Sequence, residues 1–292
     1  MSLKKKIIIG TAQLDKNYGL NKNRNKITVN EINNLFEFLK KNQYFYLDTA
    51  KNYKDSENLL KKINLNKFKI IGKIEKLRNK KNIYNYLKKE ILNSINNLGI
   101  KMFEGYLIHD EKDLISNRSD EIYRALVKIK KENLTKKIGI SIYDFKKASS
   151  IIKSYKLDII QLPYNLIDRR LENKSFLKLL EKRNLEIHVR SIFLQGLLLK
   201  DLNKVPKIFY KYLKFFKKID KYCKKNLLSK LEVCLNFVMS NKVVNKIIIG
   251  IESKSNIIEI NNIKIRKFKF PNLVLRDINL IDPRKWKKIW IQ

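Results

Sequence analysis

The sequence predicts an α/β chain folded as one (β/α)8, or TIM, barrel. Three observations predict it. Short apolar runs alternate without interruption with longer stretches of helical periodicity, the pattern of parallel strands joined by helical crossovers. Eight such units fit within 292 residues, which suits a closed barrel better than an open doubly wound sheet. No GxGxxG follows any strand segment, so the open dinucleotide-binding fold has no fingerprint here.

The elements follow in order. Ile7–Thr11 reads as the first strand. Thr28 and Glu31 form a capping box opening a helix whose buried face is Ile32, Leu35, Phe36 and Leu39. Tyr44–Asp48 reads as the second strand, Ser56–Ile63 as a short helix and Lys69–Lys73 as the third strand. Lys81–Leu98 reads as a long helix with Ile83, Leu87, Ile91, Ile95 and Leu98 on one side. Phe103–His109 is the fourth strand, followed by a helix over Ser119–Glu132. Lys137–Ile142, Ile159–Leu162 and Glu186–Arg190 are the next strands, with helices over Phe145–Tyr155 and Asn173–Arg183 between them. Pro206–Ser240 is mostly helical, Lys246–Gly250 is the last strand and Ser255–Asn262 the last helix. Residues 1–292 form one domain with no internal linker, and a tail from about 265 stands outside the repeat.

Composition narrows the function classes. Lys+Arg number 65 against 28 Asp+Glu, for a formal charge of +37. That excess first suggests nucleic acid or an anionic membrane. The lysines are spread through every element and through loops such as Lys22–Lys26 and Asn79–Asn82, so they read as a compositional habit rather than a dedicated nucleic-acid surface. The charge still favours anionic ligands, phosphorylated cofactors included. Cys223 and Cys234 match no metal-ligand or disulfide framework, so no metal is expected and a reducing, cytoplasmic setting fits. The N-terminal apolar run is only Ile7–Ile9, and no run of about 18 apolar residues occurs, so no membrane span is expected.

Active sites of such barrels lie at the C-terminal strand ends. The second strand ends in Asp48, with Tyr53 close behind; KIIGK ends in Lys73; EGYLIHD carries His109 at its end. Each has a plain structural reading: a helix cap, a surface lysine, one of 14 tyrosines, a strand histidine like His188. Together they suggest proton-transfer chemistry. A phenol of pKa about 10 is a sluggish acid at neutral pH, a nearby lysine favours the phenolate, and an aspartate keeps that lysine charged. A histidine beside them can orient a carbonyl.

With these residues the chain resembles the aldo/keto reductases over nearly its whole length. Asp48-Thr49-Ala50, two residues, then Tyr53 matches the family's signature, and Lys73 and His109 complete its tetrad. KIGIS (Lys137–Ser141), QLPYNLIDRR (Gln161–Arg170), HVRSIFLQGLLL (His188–Leu199) and IIIGIESKS (Ile247–Ser255) follow in the family's order. The resemblance implies reduction of an aldehyde or ketone, with a sugar-derived carbonyl among the candidates. It implies a nicotinamide cofactor for the hydride, which no side chain supplies. By that resemblance Ser141 and Gln161 hold the carboxamide and Arg190 stacks where many members place an aromatic ring. Ser191, Phe193, Gln195 and Gly196 wrap the pyrophosphate, and Gly250, Glu252, Ser253, Lys254, Asn256 and Glu259 meet the adenosine end.

The chain also departs from the family pattern. Ile142 stands where an Asn is common, Lys54 where a Gly follows the tyrosine, and Ile260 where an Asn pairs with Glu259. Asn256 replaces the Arg that many members aim at the 2′-phosphate; with Lys254 as the substitute charge, NADPH is expected and NADH stays open. Substrate choice is expected from Lys16–Lys26, Ser191–Val205 and the tail, where Trp286 and Trp290 are expected mainly to pack. Three other functions compete. A cofactor-sensing regulatory protein would not need all four tetrad residues, a nucleic-acid binder would show steep salt dependence, and a barrel isomerase would need paired carboxylates or a phosphate loop.

Overall fold

A computed structural model describes residues 3–15, 27–266 and 269–286, except the side chains of Lys54 and Asp55. The loop Lys16–Lys26 and Trp290, singled out above, lie outside the described residues. Eight strands run β1 (Ile7–Gly10), β2 (Tyr46–Asp48), β3 (Lys69–Ile74), β4 (Gly105–Ile108), β5 (Ile138–Ser141), β6 (Ile159–Pro163), β7 (Glu186–Arg190) and β8 (Lys246–Gly250). All pair in parallel in chain order, and β8 closes on β1 through Gly10↔Gly250. The (β/α)8 barrel predicted from alternation is the observed architecture.

A single turn, α1 (Leu3–Lys6), precedes the barrel. The helices are α2 (Val29–Lys41), α3 (Lys54–Leu60), α4 (Ile83–Leu98), α5 (Ser119–Lys131), α6 (Phe145–Ser154) and α7 (Lys174–Lys182). They continue as α8 (Leu213–Lys225), α9 (Lys230–Ser240), α10 (Lys254–Asn261) and α11 (Ile278–Ile281). The Thr28–Glu31 capping box forms as expected, because each side chain satisfies an amide that the first helical turn leaves unpaired. Helix α4 buries Ile83, Leu87, Ile91, Ile95 and Leu98, the stripe read from periodicity. Within 206–240 the helix breaks at Leu227, which takes a left-handed φ of 52°. Among the described residues no helix is long and apolar enough to cross a membrane.

β2 starts two residues later than its apolar run. The Tyr44 amide donates to the Leu39 carbonyl at 3.0 Å, so Tyr44 finishes α2 instead of joining the ladder. Its ring is buried and its hydroxyl donates to Asn261 at 2.7 Å. In the tail, Trp286 is buried against Phe209 (centroids 4.8 Å apart) and donates to the Leu280 carbonyl, so it packs as expected.

The barrel interior sets the site. Ile8, Ile71, Leu107, Ile159 and Ile248 form an apolar layer inside the strands, with Tyr46 against it. Strand side chains alternate faces, so the next interior layer toward the C-terminal rim lies two residues further on. Those positions are Gly10, Asp48, Lys73, His109, Gln161 and Gly250, and on β5 and β7 the same parity gives Ser141 and Arg190. Gly105 and Gly139 leave room for the large neighbours: a Cβ at Gly139 would lie 2.2 Å from the Ile159 carbonyl oxygen.

Candidate active site

β2 ends at Asp48, and β3 carries Lys73 one residue before its own end. Beyond β2 the chain keeps pairing with β3, the Thr49 amide donating to Ile71 and the Lys51 amide to Lys73. It then turns, the Tyr53 amide donating to Ala50 at 3.0 Å, and Tyr53 caps α3. This turn brings the phenol back over Lys73, whose Nζ lies 5.6 Å from the ring centroid. His109 is fixed where its amide donates to Ile74 at 2.7 Å, and its ring meets Tyr53 edge-on at 6.0 Å. Asp48, Lys73, Tyr53 and His109 therefore share one end of the barrel.

Lys73 and Asp48 are sealed, with side chains 1% and 5% exposed, and they form a direct ion pair. Burial pushes the Lys73 ammonium below the ordinary lysine range, Asp48 opposes that fall, and Arg190 adds to it. Asp48 also accepts from the Gln161 amide at 2.8 Å, and the Ser141 hydroxyl donates to Gln161 at 3.4 Å. Ser141, Gln161, Asp48 and Lys73 are thus one chain of polar contacts across the barrel mouth.

Burial holds the His109 imidazole well below its ordinary range, and the cations Lys73, Arg190 and Arg284 push it the same way. The ring is therefore neutral near pH 7. Its Nδ1 is sealed with no hydrogen-bond partner among the described residues, the Glu75 carboxylate standing 3.9 Å away, beyond hydrogen-bond reach. His188, by contrast, bonds Glu186 at 3.0 Å in the middle of β7, a packing role.

Tyr53, Asp48, Gln161 and Arg190 line a cleft that continues along Ser191, Phe193, Gln195 and Gly196 to Gly250. A second stretch of that cleft is lined by Glu252, Asn256 and Glu259 together with Lys200 and Leu231. Ser253 and Lys254 line neither stretch. The Asn256 side-chain oxygen accepts from the amides of Glu252 (3.0 Å) and Ser253 (3.3 Å), so it closes the start of α10. The Arg190 guanidinium rests 3.8 Å from the Tyr143 ring centroid.

The 191–196 loop is strained. Ser191, Leu194 and Gln195 hold φ of 57°, 48° and 53°, and Gly196 holds 85°. Each non-glycine residue there costs roughly 1–2 kcal/mol. The amides of Ile192, Phe193, Gln195 and Gly196 donate to no backbone carbonyl among the described residues. Left-handed residues whose amides are not taken up by backbone carbonyls can form an anion-binding concavity, which fits a pyrophosphate. A Cβ at Gly250 would lie 1.9 Å from the Gln13 side-chain amide, so Gln13 packs against the end of β8.

Gln13 lies in both stretches of the cleft and was not foreseen. It sits on a short 3-10 helix, Ala12–Leu14, directly after β1. Reading the first strand end as the next three were read would have found it. Tyr143 and Glu111 were also missed, because they meet Arg284 of the tail only through loops distant in sequence.

A model of the aldo/keto reductase family matches residues 6–282. The holo form of aldo-keto reductase AKR11C1 from Bacillus halodurans is 18% identical with a TM-score of 0.70, covering 87% of this chain and 84% of that one. The apo form of the same enzyme is 19% identical with a TM-score of 0.65 and 80% coverage of each chain. A thermostable aldo-keto reductase, Tm1743, in complex with the inhibitor epalrestat, is 18% identical with a TM-score of 0.65, covering 89% of this chain and 91% of that one. A comparison with curated protein sequences gives no match. At these identities the solved structures establish the fold, and the family rests on the matching model.

Proposed function

The chain belongs to the aldo/keto reductase family of NAD(P)-dependent oxidoreductases, and from that premise we propose that it reduces an aldehyde or ketone to an alcohol with Tyr53 as proton donor. The observation that carries this reading is the buried Lys73–Asp48 pair beneath the Tyr53 ring, with neutral His109 at its edge. When bound, the nicotinamide supplies the hydride that the carbonyl carbon receives. Tyr53 gives its proton to the carbonyl oxygen as charge develops there. The Lys73 cation favours the phenolate left behind, and Asp48 holds that cation in place. His109, in the Nε2–H tautomer, donates to the carbonyl oxygen and aligns it.

Ser141 and Gln161 are the proposed carboxamide holders, which requires the Gln161 amide to serve the cofactor while it braces Asp48. Ser191, Phe193, Gln195 and Gly196 are proposed around the pyrophosphate, with amides of that loop that donate to no backbone carbonyl among the described residues as its donors. Glu252, Asn256 and Glu259 are proposed at the adenosine end. NADPH is the proposed cofactor, on the strength of Lys200 in that stretch and the strongly positive chain. NADH is the second reading, favoured by the Glu252 and Glu259 carboxylates lining the same stretch, where a 2′-phosphate would meet like charge.

A panel of aldehydes and ketones, each offered with NADPH and with NADH and followed by nicotinamide absorbance, tests both statements. Carbonyl-dependent oxidation of the cofactor is expected, with tighter binding of NADPH. Tighter NADH binding would move the cofactor assignment to the second reading. No oxidation with any carbonyl would remove the proposed reaction.

A further inference from the structure

Among the described residues five helices end on a residue in the left-handed region: α2 on Gln43, α4 on Gly99, α5 on Asn133, α7 on Asn184 and α8 on Leu227. That conformation suits glycine and, next, asparagine, and the first four residues are glycine or polar. Leu227 is neither. It holds a φ of 52° and is 93% exposed. The turn is an ordinary helix stop: the Leu228 amide donates to the Cys223 carbonyl at 3.0 Å and the Leu227 amide to the Lys224 carbonyl at 3.3 Å. Leucine at this position is disfavoured by its backbone and by water alike. An apolar surrounding from outside the chain would give it a use.

The helix before Leu227 is the most basic in the fold. α8 exposes six lysines, Lys214, Lys217, Lys218, Lys221, Lys224 and Lys225, and buries Phe216, Ile219 and Cys223. Its one acid, Asp220, is paired with Lys230 of α9 at 2.6 Å. Among the helices longer than two turns α6 comes next in net charge, with three lysines and no acid. The helix dipole favours cations in the last turn, which accounts for Lys224 and Lys225 and for none of the other four. The Tyr222 hydroxyl donates to the Lys269 carbonyl at 2.8 Å, which brings another basic residue beside α8. The turn also lies at the catalytic end of the barrel. Helix α9 starts there, Lys230 donates to the Lys200 carbonyl at 2.5 Å, and Lys200 and Leu231 line the cleft.

We infer that α8 and Leu227 form a docking surface for an anionic membrane, with the lysines on the lipid headgroups and Leu227 in the apolar boundary beneath them. Anionic headgroups supply the charge that matches the lysines, and the inserted leucine adds the apolar burial that a polybasic face lacks by itself. A nucleic acid would match the lysines equally well, but its phosphate backbone gives an apolar tip nothing to enter. Contact of this kind involves one face of the bilayer and requires no spanning helix. It holds the cleft beside the membrane, and it is independent of the carbonyl chemistry.

The test is co-sedimentation of the full chain with vesicles of phosphatidylcholine alone and of phosphatidylcholine mixed with phosphatidylglycerol. Binding is expected to the mixed vesicles, weaker in high salt, and little to the neutral ones. Lys217→Ala, Lys221→Ala and Lys224→Ala together should lower the partition coefficient about 100-fold, at about fivefold for each basic residue near the surface. The same charge removed from α6, by Lys146→Ala, Lys147→Ala and Lys153→Ala, should lower it less than about fivefold, because those lysines lie away from the lipid. Asparagine tolerates the left-handed turn, so Leu227→Asn should melt at or above the wild-type temperature while its partition falls about 10-fold. No binding to the mixed vesicles, equal losses from the α6 and α8 variants, or an unchanged partition in Leu227→Asn overturns the docking assignment. Binding to a DNA duplex but not to the mixed vesicles overturns it too and gives α8 to nucleic acid.

Discussion

Replacing Lys73 with Met tests whether the buried ion pair is the organising element of the site. Both partners are sealed, with side chains 1% and 5% exposed. Met fills similar volume but leaves the Asp48 carboxylate with the Gln161 amide at 2.8 Å and no counter-ion. Removing one partner of a buried pair costs about 3–5 kcal/mol, because the remaining charge stays desolvated. The lower end is expected here, since Gln161 still donates to the carboxylate. Asp48→Asn with Lys73→Met removes both charges and should recover most of the loss, because neutral replacements of a buried pair are often near-isoenergetic. Urea unfolding of the wild type, both single variants and the double variant gives the cycle, with a coupling of about 2–3 kcal/mol expected. A Lys73→Met cost below about 1 kcal/mol, or a double variant as unstable as the sum of the singles, would refute the reasoning. All three variants should lose carbonyl reduction, by about 100-fold or more if the pair tunes the proton donor.

Other outcomes follow from the same geometry. His109 is held well below 6.5 in the folded chain, chiefly by burial. As pH falls below 6.5 the unfolded chain takes up a proton at this residue that the folded chain refuses. Stability present above 6.5 is therefore lost, by up to about 1.4 kcal/mol per pH unit, until the lower folded value is reached. His109→Gln should flatten the acid limb of the unfolding free energy by that slope, and parallel limbs in variant and wild type would count against it. Gly139→Ala places a methyl 2.2 Å from the Ile159 carbonyl oxygen and 2.7 Å from a Leu107 methyl. Interior overpacking costs about 1–3 kcal/mol, so a lower melting temperature is expected, and an unchanged one would mean the β5–β6 seam is looser than described.

Much of this molecule was legible in the chain because its signals are local. Short apolar runs set the strands, and the alternation of side chains along them puts Asp48, Lys73, His109 and Gln161 two residues beyond an interior apolar position. The Thr28 cap was equally local. What escaped depends on contacts between distant segments. Tyr44 reads as strand, yet its amide is claimed by the end of α2. Asn256 aligns with a phosphate-binding position but bonds the backbone of its own helix start. Tyr143 is an unremarkable aromatic in sequence, and only folding brings Arg190 and Arg284, 94 residues apart by their numbers, onto its ring.

Tyr53→Phe tests the central claim most directly. It deletes one hydroxyl and leaves the ring over Lys73 and against His109. Carbonyl reduction followed by nicotinamide absorbance should fall by about 100- to 10,000-fold, the usual worth of a positioned acid, while reduced-cofactor affinity stays near that of the wild type. Wild-type turnover by Tyr53→Phe would contradict the assignment of Tyr53 as the proton donor.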